Sequence, residues 1–80
     1  MLACQVSLYP LGLTNYSEFI KEALEALSAH RVQVEVNSMS TVIRGEEEKV
    51  WQAVRSLFTA GSKAGEVVMV MTLSNRCGCR

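Results

Sequence analysis

Hydrophobic and polar positions alternate one for one at the start of the chain. Leu2, Cys4, Val6 and Leu8 fall on one side, and Ala3, Gln5, Ser7 and Tyr9 on the other. A period of two belongs to an extended strand, so residues 2–9 are predicted as a strand with a core face and a mixed face. Pro10 and Gly12 stop it. The period then lengthens. Tyr16, Ile20, Ala23, Leu24 and Leu27 recur at helical spacing, with Lys21, Glu22 and Glu25 on the wet side. Thr14 and Asn15 offer a cap, and Glu18 approaches a capping-box arrangement. A helix is therefore predicted from Tyr16 to Ala29. His30 and Arg31 close it, where positive charge suits the negative end of the helix dipole.

Val34 and Val36 alternate with Glu35 and Asn37, which predicts a second strand over Val32 to Val36. Asn37 and Ser38 carry turn chemistry, and a third strand is predicted from Met39 to Arg44. Gly45 and the run Glu46, Glu47 and Glu48 open a second helix, the acids matching its positive end. Its predicted buried stripe is Val50, Val54, Leu57 and Phe58, flanked by Trp51 and Ala53, and Gly61 is its predicted left-handed cap. After a loop over Ser62 to Gly65, the last strand runs from Val67 to Leu73, apolar on both faces through Met71. A strand buried on both sides in so small a domain implies cover from another chain. The order strand–helix–strand–strand–helix–strand predicts an α+β, ferredoxin-like βαββαβ sandwich. Its antiparallel sheet is ordered 4-1-3-2, with both helices on one face.

Composition narrows this picture. Eighty residues make a single domain, 1–80, and 49% are hydrophobic, enough for one core with a surplus suited to an oligomer interface. Eight basic and eight acidic residues cancel, so no net field favours nucleic acid or an anionic membrane. The first residues lack a signal peptide's basic start, and no apolar run approaches the ~20 residues of a membrane span. A soluble cytoplasmic protein is expected. Cys4 sits inside a strand pattern and is expected to be a buried, inert thiol. Cys77 and Cys79 read as an ordinary reduced tail, against a metal or redox reading that lacks further ligands: the single histidine lies far away in sequence. No metal and no cofactor are expected.

Small hydroxyl and amide side chains gather between Asn37 and Thr41, and a module that holds a small polar ligand needs such groups at strand ends. Three segments stand out together: Cys4 to Gly12, Asn37 to Glu46, and Leu73 to Cys77. In this order and spacing they resemble the YkoF-type family of thiamin- and hydroxymethylpyrimidine-binding proteins, and the resemblance covers nearly the whole chain. It implies a ferredoxin-like unit that binds thiamin or its pyrimidine half without catalysis, in salvage, transport or sensing. The namesake type carries two such repeats. This sequence carries one, so self-association to a dimer or tetramer would supply the second. An aminopyrimidine needs a few neutral donors and acceptors on apolar walls. The residues matching the family and this chemistry are Gln5, Ser7, Asn37, Ser40, Thr41, Ser74 and Asn75. Tyr9 supplies an aromatic face and Glu46 a carboxylate for the cationic thiazolium. Few Lys or Arg lie nearby, which disfavours thiamin diphosphate.

Other functions compete. An enzyme is not expected, since the one histidine closes a helix and no phosphate cradle is present. RNA binding on such sheets uses exposed aromatics in a basic surround, and the third strand has none. A ligand-free oligomerisation or regulatory module of the same fold remains open, as does a cysteine-based metal or redox sensor.

Overall fold

The computed structural model describes residues 1–12, 16–37, 40–63 and 65–76. Its elements are β1 (Leu2–Pro10), α1 (Tyr16–Glu25) continued by a 3₁₀ turn over Ala26–Ala29, β2 (Gln33–Val36), β3 (Thr41–Gly45), α2 (Glu47–Ser62) and β4 (Val67–Ser74). The sheet is ordered β2-β3-β1-β4, and each neighbouring pair is antiparallel. This is the predicted ferredoxin-like sandwich.

The alternation in β1 decides which side is covered. Leu2, Cys4 and Val6 are buried and, through the register Cys4↔Ile43, share a face with Ile43. Phe19, Ala23 and Leu27 from the first helical segment and Val50, Ala53, Val54 and Leu57 from α2 are buried on that same face, so both helices lie on it. Cys4, Ile43 and Val50 are completely buried and mark the centre of the core. On the opposite, open face β1 contributes Ala3, Gln5, Ser7 and Tyr9.

Several helix details differ from expectation. The α-helix ends at Glu25 and tightens into the 3₁₀ turn, where the His30 N–H donates to the Leu27 carbonyl at 3.0 Å. Phe19, absent from the expected stripe, is buried: it stands four residues before Ala23 and eight before Leu27, on the same helical row. In α2 the sheet-facing row is Val50, Ala53, Val54 and Leu57, so Phe58 turns about 100° past Leu57 and is 43% exposed; Trp51 is also largely exposed. Gly61 is not a left-handed cap. It lies inside α2 and is buried, and a Cβ built there would stand 2.9 Å from Leu8 Cδ2. Among the described residues the positive φ angles belong to Gly12 and Gly65. The expected cap at Thr14 and Asn15, the Tyr16 side chain, Ser38 and the Cys77–Cys79 pair lie outside the described residues.

β4 is only partly covered: Met69 packs against the core from the helix side, and the residues after it do not. Met71 and Leu73, on the helix side, are 41% and 38% exposed, and Val68 and Val70, on the open face, 45% and 55%.

Candidate functional site

The strands do not end level. β3 begins at Thr41, opposite Val6, whereas β1 continues to Pro10 and beyond Val6 is paired only with β4. α1 crosses above this step. The result is a cavity of about 360 Å³ between the protruding end of β1, the β2–β3 connection and α1. Its walls are apolar: Val6 and Leu8 from β1, Ile20, Ala23 and Leu24 from α1, Val36 from β2 and Leu57 from α2. Its polar lining comes from Ser7, Tyr9, Asn37, Ser40 and Thr41, and among the described residues no charged side chain lines it.

The polar groups are held by the hairpin. The Asn37 N–H donates to the Ser40 carbonyl at 2.8 Å, which continues the β2–β3 ladder by one step and fixes both residues at the rim. Gln5 Nε2 donates to Ser40 Oγ at 3.1 Å, tying β1 to the hairpin on the open face. Gln5 thus positions Ser40 from beside the cavity and does not line it. Thr41 stands opposite Val6, so its side chain points to the helix side, into the cavity; it is half-buried. Tyr9 is 46% exposed and lies at the mouth.

Five of the nine expected contact residues therefore meet here, and Gln5 supports them. Glu46, Ser74 and Asn75 do not. The registers Leu2↔Gly45 and Ala3↔Ser74 put them at the other end of β1, six residues or about 20 Å along the strand from Tyr9. Their local roles are visible. The Glu46 carbonyl accepts the Val50 N–H at 2.9 Å and starts α2, and Ser74 Oγ accepts the Arg76 N–H at 3.2 Å where β4 ends. The apolar wall was not anticipated. Leu8 and Ile20 belong to the predicted core faces of β1 and α1, and periodicity alone does not separate a position that lines a cavity from one that is packed.

The remaining polar chemistry lies elsewhere. His30 Nε2 and Ser56 Oγ are 2.9 Å apart and fasten the end of the 3₁₀ turn to α2. Arg44 Nη1 donates to Glu35 Oε1 at 3.2 Å on the open face. Burial pushes the Cys4 thiol pKa up, which makes it a poor nucleophile. Among the described residues no three His, Cys, Asp or Glu side chains gather to hold a metal, and no helix is long and apolar enough to cross a membrane. The cavity thus offers an apolar slot with neutral donors and acceptors at one rim, the general make-up of a small-molecule site.

Comparison with known proteins agrees with this architecture. A family model described as the YKOF-related family matches residues 1–80. A UPF0045 protein of Methanocaldococcus jannaschii is 31% identical over 55 residues, covering 68% of this chain and 55% of that protein, so the match spans about half of the relative's length. A UPF0045 protein of Methanothermobacter thermautotrophicus is 29% identical over 76 residues, covering 91% of this chain and 77% of that protein. Among solved structures, a hypothetical protein from M. jannaschii superposes with a TM-score of 0.85 at 25% identity, over 99% of this chain and 84% of that one. A Thermotoga maritima protein described as a candidate thiamine biosynthesis/salvage protein superposes with a TM-score of 0.79 at 20% identity, over 96% of this chain and 85% of that one; at this identity the likeness concerns the fold.

Proposed function

The chain belongs to the YKOF-related family, and from that premise we propose that it binds the hydroxymethylpyrimidine ring of thiamin, free or as part of thiamin, without catalysis. The observation that carries this reading is the neutral cavity of about 360 Å³, near the small end of ligand pockets and therefore sized for one ring. In this reading Thr41 from the helix side of the step, and Ser7, Asn37 and Ser40 from its open-face side, exchange hydrogen bonds with ring nitrogens and the exocyclic amine. Gln5 holds Ser40 in place, and the exposed face of Tyr9 meets whatever extends from the mouth. Glu46, Ser74 and Asn75 are too far away to touch the same ligand within one chain. The thiamine-related description of the T. maritima neighbour supports the ligand class. Among the described residues no cationic side chain lines the cavity to pair with a diphosphate. The protein works in this reading as a self-associated, cytoplasmic carrier or sensor of the ligand.

Isothermal titration with hydroxymethylpyrimidine, thiamin and thiamin diphosphate tests the proposal, with Thr41→Val as the informative variant. It keeps the β-branched shape and removes only the hydroxyl. Loss of one buried hydrogen-bond partner costs about 1–3 kcal/mol, or about 5- to 150-fold in affinity. The expected result is that loss, little dependence on salt, and an unchanged melting temperature without ligand. Unaltered binding by Thr41→Val would move the site elsewhere. Flat titrations with all three compounds would refute the ligand reading and leave the ligand-free assembly module, which the exposed apolar strand β4 favours.

A further inference from the structure

The two helices are fastened to the sheet in different ways. α2 sends Val50, Ala53, Val54 and Leu57 into the core, and all four are buried. α1 has the cavity beneath it. Its residues Ile20 and Leu24 look across about 360 Å³ of open space toward Val6, Leu8, Val36 and Thr41, and both are only half-buried. What holds α1 is chiefly α2: Ala23 is buried in the common core, and Phe19 packs beside Gly61.

α1 is also a weak helix in itself. Its ten residues are fewer than an isolated helix needs in water. Glu22 and Glu25 stand in its last turn with no basic residue beside them, so like charge meets the negative end of its dipole. α2 has sixteen residues and opens on Glu47 and Glu48, where acids are favourable.

The end of α1 provides a joint. α-Helical geometry stops at Glu25 and the 3₁₀ turn takes over at Ala26, and a 3₁₀ stretch within a helical run is a common hinge. Beyond the joint the chain is anchored. Leu27 is buried, and His30 Nε2 lies 2.9 Å from Ser56 Oγ of α2. Ser28 Oγ donates to the Glu25 carbonyl at 2.8 Å, so the carbonyl at the joint has a partner that does not move with α1.

We infer that α1 is a hinged lid. It swings about the joint between Glu25 and Ala26, uncovers the cavity, and is held down when a small molecule fills the space. An occupant gives Ile20 and Leu24 the apolar contacts that the empty cavity denies them, so by linkage it slows the opening of α1. The inference goes beyond the ligand proposed above, since it concerns the space and holds for any occupant.

Native-state amide exchange of the 80-residue chain in low urea tests it, with Val36→Phe as the variant. Val36 lines the cavity from the helix side of β2 and is 57% exposed, so a larger ring can enter the space without overpacking the core. Relative to their intrinsic rates, the parent amides of Ala23, Leu24 and Glu25 should exchange about 100-fold faster than those of Val54 and Leu57. They should also show almost no dependence on urea, as a local opening does. Val36→Phe should slow those three amides on the order of 10-fold, because opening then uncovers the ring. Equal protection and equal urea dependence in α1 and α2 would overturn the lid, since α1 would then open only with the whole domain. A local opening that Val36→Phe leaves unchanged would overturn it too, as fraying unrelated to the cavity. Hydroxymethylpyrimidine at about 100 times its dissociation constant should slow the same amides about 100-fold. Bound ligand with unchanged α1 exchange would overturn the lid and spare the ligand proposal. Absence of binding would count against the ligand proposal alone, and Val36→Phe then decides.

Discussion

Replacing Gly61 by alanine sets two effects of known size against each other. Inside a helix, alanine is favoured over glycine by about 1 kcal/mol. At this position the new Cβ would stand 2.9 Å from Leu8 Cδ2, 3.4 Å from Phe19 Cζ and 3.7 Å from Leu8 Cδ1. Overpacking a core typically costs about 1–3 kcal/mol. The close contact is with the tip of a flexible side chain that is only half-buried and borders the cavity, so Leu8 has room to turn. The cost should fall at the low end of that range, and Gly61→Ala should lie within about 1 kcal/mol of the parent in urea unfolding. The displaced methyl group has to go into the cavity. One methyl-sized change in an apolar pocket is worth about 10-fold or more in recognition, so hydroxymethylpyrimidine affinity should fall by at least that factor. Stabilisation by the full helix-propensity gain of about 1 kcal/mol with unchanged affinity would refute the reasoning, because Leu8 would then not fill the space beside Gly61. A loss above about 3 kcal/mol would show Leu8 locked in place.

Three further outcomes are expected. Ile43→Ala empties the centre of the core, where Ile43 has no exposure, and should cost about 2–5 kcal/mol in urea unfolding; a loss below 1 kcal/mol, on the order of a surface substitution, would contradict its position. Cys4 is kept neutral by burial, so its thiol ionises more readily in the unfolded chain, at about pH 8.5. Stability from this source is full below that pH and falls as pH rises above it, so the parent should lose more stability than Cys4→Ala between about pH 8 and pH 9.5; equal slopes would contradict this. Replacing Cys77 and Cys79 together by serine should leave ligand affinity unchanged by titration calorimetry, and loss of affinity or of a bound metal would favour the sensor reading.

Much of the fold was legible because the patterns are local. The alternation from Leu2 to Tyr9 gave β1 and its core face, and turn chemistry at Asn37 separated β2 from β3. The helix stripes were harder to read, since a helix has several plausible rows and packing selects one. Phe58 looked as suitable as Ala53, yet the row that includes Ala53 lies against the sheet. Gly61 read as a stop signal, although it is four residues after Leu57 and thus on the buried row, where a missing side chain means close approach. The site was half legible. Residue chemistry picked out Ser7, Tyr9, Asn37, Ser40 and Thr41, which meet at the cavity. Glu46, Ser74 and Asn75 were grouped with them by chemistry and by the family resemblance, neither of which carries strand direction. The antiparallel order already implied their separation, because β3 and β4 both run back toward the start of β1.

The pairing of β1 with β4 also governs how the domain comes into being. β1 is a central strand of the sheet and the first of the described elements, while one of its two neighbours is the last of them: Ala3 lies opposite Ser74. As the polypeptide leaves the ribosome, Cys4 and Val6 can meet β3 but stay uncovered along their other side until β4 has emerged. Contacts between such distant segments make closure slow, and the waiting apolar strand is exposed to wrong partners during synthesis. Acquisition of the native state is thereby postponed until translation has passed β4. A ribosome that stops short of Val67 releases a chain whose middle strand lacks one whole side, a substrate for chaperones and proteases and not a smaller working protein.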